Sequence, residues 1–420
     1  MDSFPTHPLL ELTGWPDVLQ QHKAADPADF ALTQRAVYGQ FTPLLAGQLH
    51  CYAKARRKLP GLHSGGWLYD KTALEQSSGE AAARYKASLH AGARMADLTG
   101  GLGIDTLLMS RRFETVHHVE RSAEISFLAR HNYRKARAQR LAGKGLRHHH
   151  SSAEAFLQAF EKRSEPPFDL LYIDPSRRQG HRRVYQLADC APNVPALLPR
   201  LERCANAIML KLSPLYDLSQ LRRELPAVEW IQVISVRGEV KELLCGWRPG
   251  SDSDAITLTT AAVLLDDGGR VRTRVEAEDS ARRRDSGYSL KALQELEAAV
   301  LAVPDAAVIK AGASDAAART YGCRRISPQH DYLIGSGNSM PEYFPGTLYA
   351  IDRVMAYQPK KLKAYLRREN LRAVHLHKRQ FDLPVEALYK KFGLEMGEQG
   401  HVFFTKDADG RACCIIARKL

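Results

Sequence analysis

The sequence predicts an α/β protein: a parallel sheet with helices on both faces, a helical region before it and small α+β units after it. Three observations carry that expectation. From Gly92 to about Leu265, short apolar runs alternate with segments of helical period, the pattern of a parallel sheet whose ligand crevice opens at the strand carboxyl ends. Residues 1 to about 90 lack strand alternation and read mostly helical. Beyond the Arg282-Arg283-Arg284-Asp285-Ser286-Gly287 linker, short strands and helices follow, closed by a hairpin that turns at Asp407-Ala408-Asp409-Gly410.

At 420 residues the length suggests two to four domains, roughly one per 150 residues. The expected divisions are a helical region over 1–90, an α/β domain over 91–280, a ferredoxin-like α+β domain over 286–345 and a basic domain over 346–420. With 44% hydrophobic and 25% charged residues, the chain is of ordinary globular type and can bury real cores. No apolar run approaches the ~20 residues that span a bilayer, and no secretory pattern opens the chain. Seven scattered cysteines without a C-x-x-C pair argue against a disulfide framework or a structural zinc site, so the expected setting is the reducing cytoplasm. The formal charge of +13 suits a polyanionic partner, because Lys and Arg displace counterions from phosphates.

Taking the elements in order, Ala24 to Leu49 carries helix-like apolar spacing, and Tyr52 to Lys58 is a basic helical run. Ser77 followed by Glu80 fits a capping box opening the next helix, with Ser77 and Ser78 facing a ligand carboxylate. Then comes Met95-Ala96-Asp97-Leu98-Thr99-Gly100-Gly101-Leu102-Gly103-Ile104-Asp105, which reads as buried strand, glycine turn and helix start. A dinucleotide fingerprint needs G-x-G-x-x-G, and no register of these glycines supplies it. What remains is an acid, Asp97, followed by small residues at Thr99, Gly101 and Gly103. The next strand, Thr115 to Glu120, ends in a second acid about 20 residues past the turn, where a ribose-binding carboxylate belongs. A basic helix over 123–140 follows. The run His148-His149-His150 lies on a strand whose alternation separates the three rings, so no metal is expected there. Ser152 and Ala153 open the helix after that strand.

The fourth strand runs into Asp174-Pro175-Ser176-Arg177-Arg178. An Asp-Pro there sets a carboxylate and a rigid carbonyl at the crevice mouth, and paired guanidiniums suit phosphate or carboxylate. Lys211 interrupts an apolar strand, and the charged stretch Arg237 to Glu242, including Lys241, lies between apolar flanks. Such charges are costly to bury unless paired, so they are expected to converge on the crevice or to reach solvent. Past the linker, 290–300 is expected as helix and 307–310 as strand. Lys360, Lys361, Lys363, Arg367, Arg368 and Arg372, interleaved with Tyr357 and Tyr365, make the densest basic surface, suited to RNA phosphates and bases.

These residues resemble a bacterial family, the class I S-adenosylmethionine (SAM)-dependent methyltransferases with a C-terminal THUMP-like domain. The resemblance rests on Leu74-Glu75-Gln76-Ser77-Ser78, the Asp97–Asp105 stretch, Asp174-Pro175-Ser176-Arg177-Arg178, Lys211-Leu212-Ser213-Pro214 and Lys241-Glu242-Leu243-Leu244, with the ending from Phe344 onward. The glycine region is also distantly similar to trimethylguanosine synthases. The resemblance implies a Rossmann-like sheet with SAM held by Ser77, Ser78, Asp97, Thr99, Gly101, Gly103, Asp105, Glu120, Ser152 and Ala153. It implies a catalytic set of Asp174, Pro175 and Lys211, with Arg177, Arg178 and Lys241 toward the substrate. The expected activity is N-methylation of an RNA base. The alternatives are methylation of a small anionic metabolite or protein, or RNA binding with a vestigial SAM pocket.

Overall fold

The computed structural model describes residues 6–163, 165–176, 178–179, 182–183, 186–250, 257–278, 287–296, 298–336 and 343–420. They form two compact units. The first comprises Met1–Ile231, Lys241–Leu258 and Leu265–Val271, and the second Gln232–Val240, Thr259–Leu264 and Arg272–Leu420.

The first unit opens with short helices and a longer one, α1 (Thr42–Lys58), then α2 (Glu80–Leu89). Its strands are β1 (Gly92–Asp97), β2 (Phe113–Glu120), β3 (Leu146–His150), β4 (Leu170–Ile173) and β5 (Ile208–Leu212). After β6 (Trp230–Val236), most of which belongs to the second unit, comes β7 (Glu239–Trp247). Among the intervening helices are α3 (Ile104–Met109), α4 (Ala123–Ala138), α5 (Ala153–Glu161) and α6 (Val194–Cys204). In this unit the strands lie in the order β3-β2-β1-β4-β5-β7. The first five are parallel and β7 runs against β5. Chain order reverses beside β1, and at such a switch point an α/β sheet opens its ligand crevice.

The N-terminal helices share the sheet's core. Leu45, Leu49, Tyr52, Leu59, Trp67 and Tyr69 belong to one buried cluster with Met95, Leu102, Ile104, Leu107, Val116, Leu128 and Leu170. Burying apolar side chains on this scale stabilises by about 1.5–3 kcal/mol for each large one, which fixes the helices that cover the site. The expected capping box does not form. Gly79 is the N-cap of α2 without a side-chain bond, and Ser77 instead closes the preceding helix through its hydroxyl to Leu74 O (2.9 Å). Glu80 turns away to accept the Gly61 and Leu62 N–H groups (2.6 and 3.1 Å).

In the second unit, β8 (Thr259–Leu265) lies between β6 and β9 (Val271–Glu276). A separate seven-stranded sheet holds β10 (Ala299–Pro304), β11 (Leu333–Ser336), β12 (Gly346–Ala356), β13 (His375–Lys378), β14 (His401–Lys406) and β15 (Ala412–Lys419), with Arg324–Arg325 at its edge. β10 pairs with β12, so the boundary expected at 345/346 runs through this sheet. The 290–310 stretch also differs from expectation: the helix stops at Gln294, 299–304 is strand and 306–310 is helix. Asp305 decides this, because its carboxylate caps the Ala307 N–H (2.8 Å) directly after Pro304. α7 (Pro359–Arg368) and α8 (Val385–Phe392) bury Leu362, Leu366, Leu388 and Phe392 against the sheet. Tyr357 belongs to that packing, edge-on to Phe381 at 4.8 Å, and Arg368 covers Tyr365 at 5.1 Å. Neither ring is the exposed aromatic expected from sequence.

Candidate active site

The loop from Leu98 to Gly103 is laced to the strand ends on both sides of β1. Leu98 N–H donates to Tyr172 O (2.9 Å) and Gly100 N–H to Val119 O (2.8 Å). Gly101 (φ +53) and Gly103 (φ +79) take the left-handed conformation, which costs a side chain-bearing residue roughly 1–2 kcal/mol. Gly100 is required for a different reason. A Cβ there would lie 2.3 Å from the His118 imidazole, a buried ring whose Nε2–H donates to Gly101 O (3.1 Å). Above Gly101 the space is open, since a Cβ would meet nothing nearer than Thr99 O at 3.9 Å.

Two acids flank this one loop. Glu120, at the end of β2, accepts the Gly101 N–H (2.9 Å) on one oxygen and the Ser122 N–H (2.7 Å) on the other. Asp174, just past β4, donates its backbone N–H to Thr99 Oγ1 (2.6 Å). Its carboxylate pairs with Lys211 and its side chain is 33% exposed. Asp97 lies beneath. It is 1% exposed, and its oxygens take the Thr99 N–H (3.0 Å) and the Thr106 hydroxyl. Burial, with help from Asp105 and Asp174, pushes its carboxyl up to about 7. Asp97 therefore braces the turn rather than presenting a free carboxylate to the crevice.

The register explains why charge collects here. Asp97 aligns with Tyr172, Tyr172 with Met209, and Lys211 with Leu244. Side chains alternate with period two and aligned residues share a face. Asp97, Tyr172, Asp174, Lys211 and Glu242 therefore all project to one side of the sheet. From above, α2 contributes Lys86, which is 1% exposed, and α3 contributes Asp105. Lys86 Nζ donates to Ser78 Oγ (2.6 Å) and Glu242 (2.8 Å) and lies 3.1 Å from Asp105. Ser78 and the Tyr172 hydroxyl each donate to Asp105 (2.8 Å). Burial alone would raise the Asp105 carboxyl, but Lys86 and then Lys211 outweigh it and hold it below its ordinary value. Burial likewise disfavours the Lys211 ammonium, yet Asp174, Glu242 and Asp105 raise it above the ordinary lysine value. Each buried charge has an opposite partner, as the cost of desolvation demands.

The structure thus brings Ser78, Asp97, Thr99, Gly101, Gly103, Asp105, Glu120, Asp174, Pro175 and Lys211 to the carboxyl ends of β1, β2, β4 and β5 and the layer beneath them. Ser152 caps α5 through the Ala155 N–H (3.2 Å), and Ala153 is that helix's first residue. Lys241 is exposed, whereas its neighbour Glu242 is the buried member of that pair. Arg177 lies outside the described residues, and Arg178 is described only as backbone paired with Arg183. Lys86 and Glu242 escaped the sequence reading as site residues. So did His118, although its place one strand from a glycine turn was a signal. A surface cleft lined by Pro167, Glu202, Arg203, Asn206 and Arg248 lies at the opposite, amino ends of β4 and β5. Among the described residues no group of His, Cys, Asp and Glu is arranged to hold a metal.

Comparison with known proteins bears on the fold. Residues 346–419 match the THUMP domain-like family. An uncharacterized S-adenosylmethionine-dependent methyltransferase of Mycobacterium tuberculosis is 27% identical over 394 residues, covering 91% of this chain and 98% of that protein. A crystal structure from Porphyromonas gingivalis, described as a methyltransferase, superposes with a TM-score of 0.79 at 24% identity, covering 98% of both chains. The fold is that of the class I methyltransferases. Over nearly its whole length the chain is similar to a SAM-dependent methyltransferase, and its C-terminal residues are similar to THUMP-like domains. No helix among the described residues is long and apolar enough to cross a membrane.

Proposed function

We propose that this enzyme transfers a methyl group from SAM to a nitrogen of an RNA base. The observation that carries the reading is that Glu120 and Asp174 are bonded to the same loop, at Gly101 and Thr99 respectively. The open space over Gly101 beside a carboxylate at the end of β2 fits an adenosine ribose, with Glu120 accepting its hydroxyls. Ser78 and the loop N–H groups would face the methionine part. Bound there, SAM supplies an electrophilic methyl on a sulfonium. Lys211 takes Asp174 Oδ2, which leaves Oδ1, together with the Pro175 carbonyl, to accept the two N–H bonds of an exocyclic amine. That arrangement aims the nitrogen lone pair at the donor, and alignment of this kind can replace a general base. Arg177 and Arg178 would hold substrate phosphates.

RNA as the acceptor is supported by the THUMP-like segment and by the basic face of α7, where Lys360, Lys361, Arg367 and Arg368 are exposed above the buried Leu362 and Leu366. A polyanion suits such a face.

Incubation with labelled SAM and RNA from a strain lacking the protein is the test. Label is expected in a modified nucleoside. Asp174→Ala should abolish transfer, a loss of at least roughly 10²–10³-fold, while SAM binding by calorimetry stays nearly intact. Label that enters protein or small anions but never RNA overturns the acceptor assignment.

A further inference from the structure

A second basic surface lies on the methyltransferase unit itself. Between Arg121 and His150 the chain carries eight Lys and Arg against a single acid, Glu124, a net +7 within a chain of +13. The stretch folds as α4, a loop and β3. Arg134, Arg137, Arg140, Lys144 and Arg147 are all exposed. Among the described residues no carboxylate lies within ion-pair distance of Arg134, Arg137, Arg140 or Lys144. Arg111 and Arg112, exposed in the turn after α3, join this surface because the 141–145 loop is tied beside them. Tyr133 donates its hydroxyl to Gly143 O (2.6 Å), and Gly143 N–H donates to Ser110 Oγ (2.9 Å). A Cβ at Gly143 would lie 1.8 Å from Ser110 O, so the loop reaches this close only as glycine.

The arrangement works against the stability of the helix. Arg134 and Arg137 fall on one face, and like charges at such spacing repel. Arg140 adopts a left-handed backbone (φ +60), where glycine would be relaxed. The helix dipole favours Arg137 in the last turn, but among the described residues no carboxylate offsets the repulsion, and α4 is held by its other face, through buried Leu128, Asn132, Tyr133 and Ala136. A ligand of opposite charge does offset it.

We infer that Arg134, Arg137, Arg140 and Lys144, with Arg111 and Arg112, bind the phosphate backbone of the RNA substrate. The inference rests on the proposed RNA acceptor and adds a contact that does not use the THUMP-like domain. α4 leads away from Glu120 at about 1.5 Å per residue, so this surface lies on the order of 20 Å along the helix from the crevice. It would grip RNA several nucleotides from the methylated base, and the contact would be independent of sequence.

The test uses the full-length protein and a fluorescein-labelled mixed-sequence RNA hairpin of about 30 nucleotides, read by anisotropy over a salt series. Arg134→Gln/Arg137→Gln/Lys144→Gln is expected to weaken binding at least tenfold at low salt. It should also reduce the slope of log K against log salt by about 2 to 3, close to one per lost phosphate contact. SAM affinity by calorimetry should match wild type, and the thermal midpoint should be no lower, since the substitutions relieve like-charge repulsion. Unchanged hairpin affinity and slope overturn the inference, as does a wild-type protein that binds the hairpin without salt dependence. If the variant loses RNA binding but wild type never labels RNA, the surface stands and the acceptor reading falls. If the variant binds and methylates RNA like wild type, the reverse holds.

Discussion

Thr99 Oγ1 accepts the backbone N–H of Asp174 at 2.6 Å, joining the loop after β1 to the residue that follows β4. A glycine at this position of the loop could not make the bond. The Thr99 hydroxyl is therefore a tie between the two halves of the site.

Replacing Thr99 by valine keeps the shape and removes the hydroxyl. The part-buried Asp174 N–H then loses its partner, at a cost of about 1 kcal/mol. The expected result is a lower thermal midpoint and a larger fall in kcat than in SAM affinity, with Thr99→Ser restoring both. Equal losses in kcat and SAM binding in Thr99→Val would show that the tie does not separate the two halves.

Lys86 is the cation common to Ser78, Asp105 and Glu242. Lys86→Met leaves two buried carboxylates without it and should destabilise the fold by about 3–5 kcal/mol, the usual result of breaking a buried pair. Glu242→Gln in the same chain removes one of the stranded charges and should recover a sizeable part of that loss. Urea unfolding of the two single variants and the double variant measures the coupling. Strict additivity would mean that Lys86 and Glu242 do not act on each other.

Glu120→Ala removes the acceptor of the Gly101 and Ser122 N–H groups and the proposed ribose contact. SAM affinity is expected to fall about 10- to 100-fold, the equivalent of one or two charged hydrogen bonds. Calorimetry with SAM reads it directly, and an unchanged affinity would move the ribose site elsewhere.

Asp97 gives the pH dependence. Its carboxyl titrates at about 7 in the fold against an ordinary 3.8, because burial disfavours the charge. Between these values the native state keeps a proton that the unfolded chain has lost, so Asp97 subtracts stability progressively as pH rises through that window. Above about 7 the penalty is constant. Asp97→Asn still accepts the Thr99 N–H and carries no charge. Its stability relative to wild type should climb from pH 4 to 7 and then level off in denaturant titrations. A difference that stays flat over that range would assign the pH dependence to other groups.

The sequence by itself determined the frame. Alternating strands and helices, the acid-and-glycine turn at Asp97–Gly103, and the strand-end residues Glu120, Asp174 and Lys211 were all legible, because strand period and chain punctuation are local properties. The tertiary structure decided which charges meet. Lys86 on an alanine-rich helix has the sequence signature of a solvated lysine, and only the packing of α2 over the sheet buries it. Lys241 and Glu242 are adjacent, so their faces depend on the phase of β7, and a one-residue change in that phase exchanges them. Helix 306–310 likewise depended on an Asp305 cap that apolar patterning does not register. Periodicity places most segments, but the pairing of buried charges depends on contacts between residues far apart in the chain, 37 positions for Asp174 and Lys211 and 156 for Lys86 and Glu242.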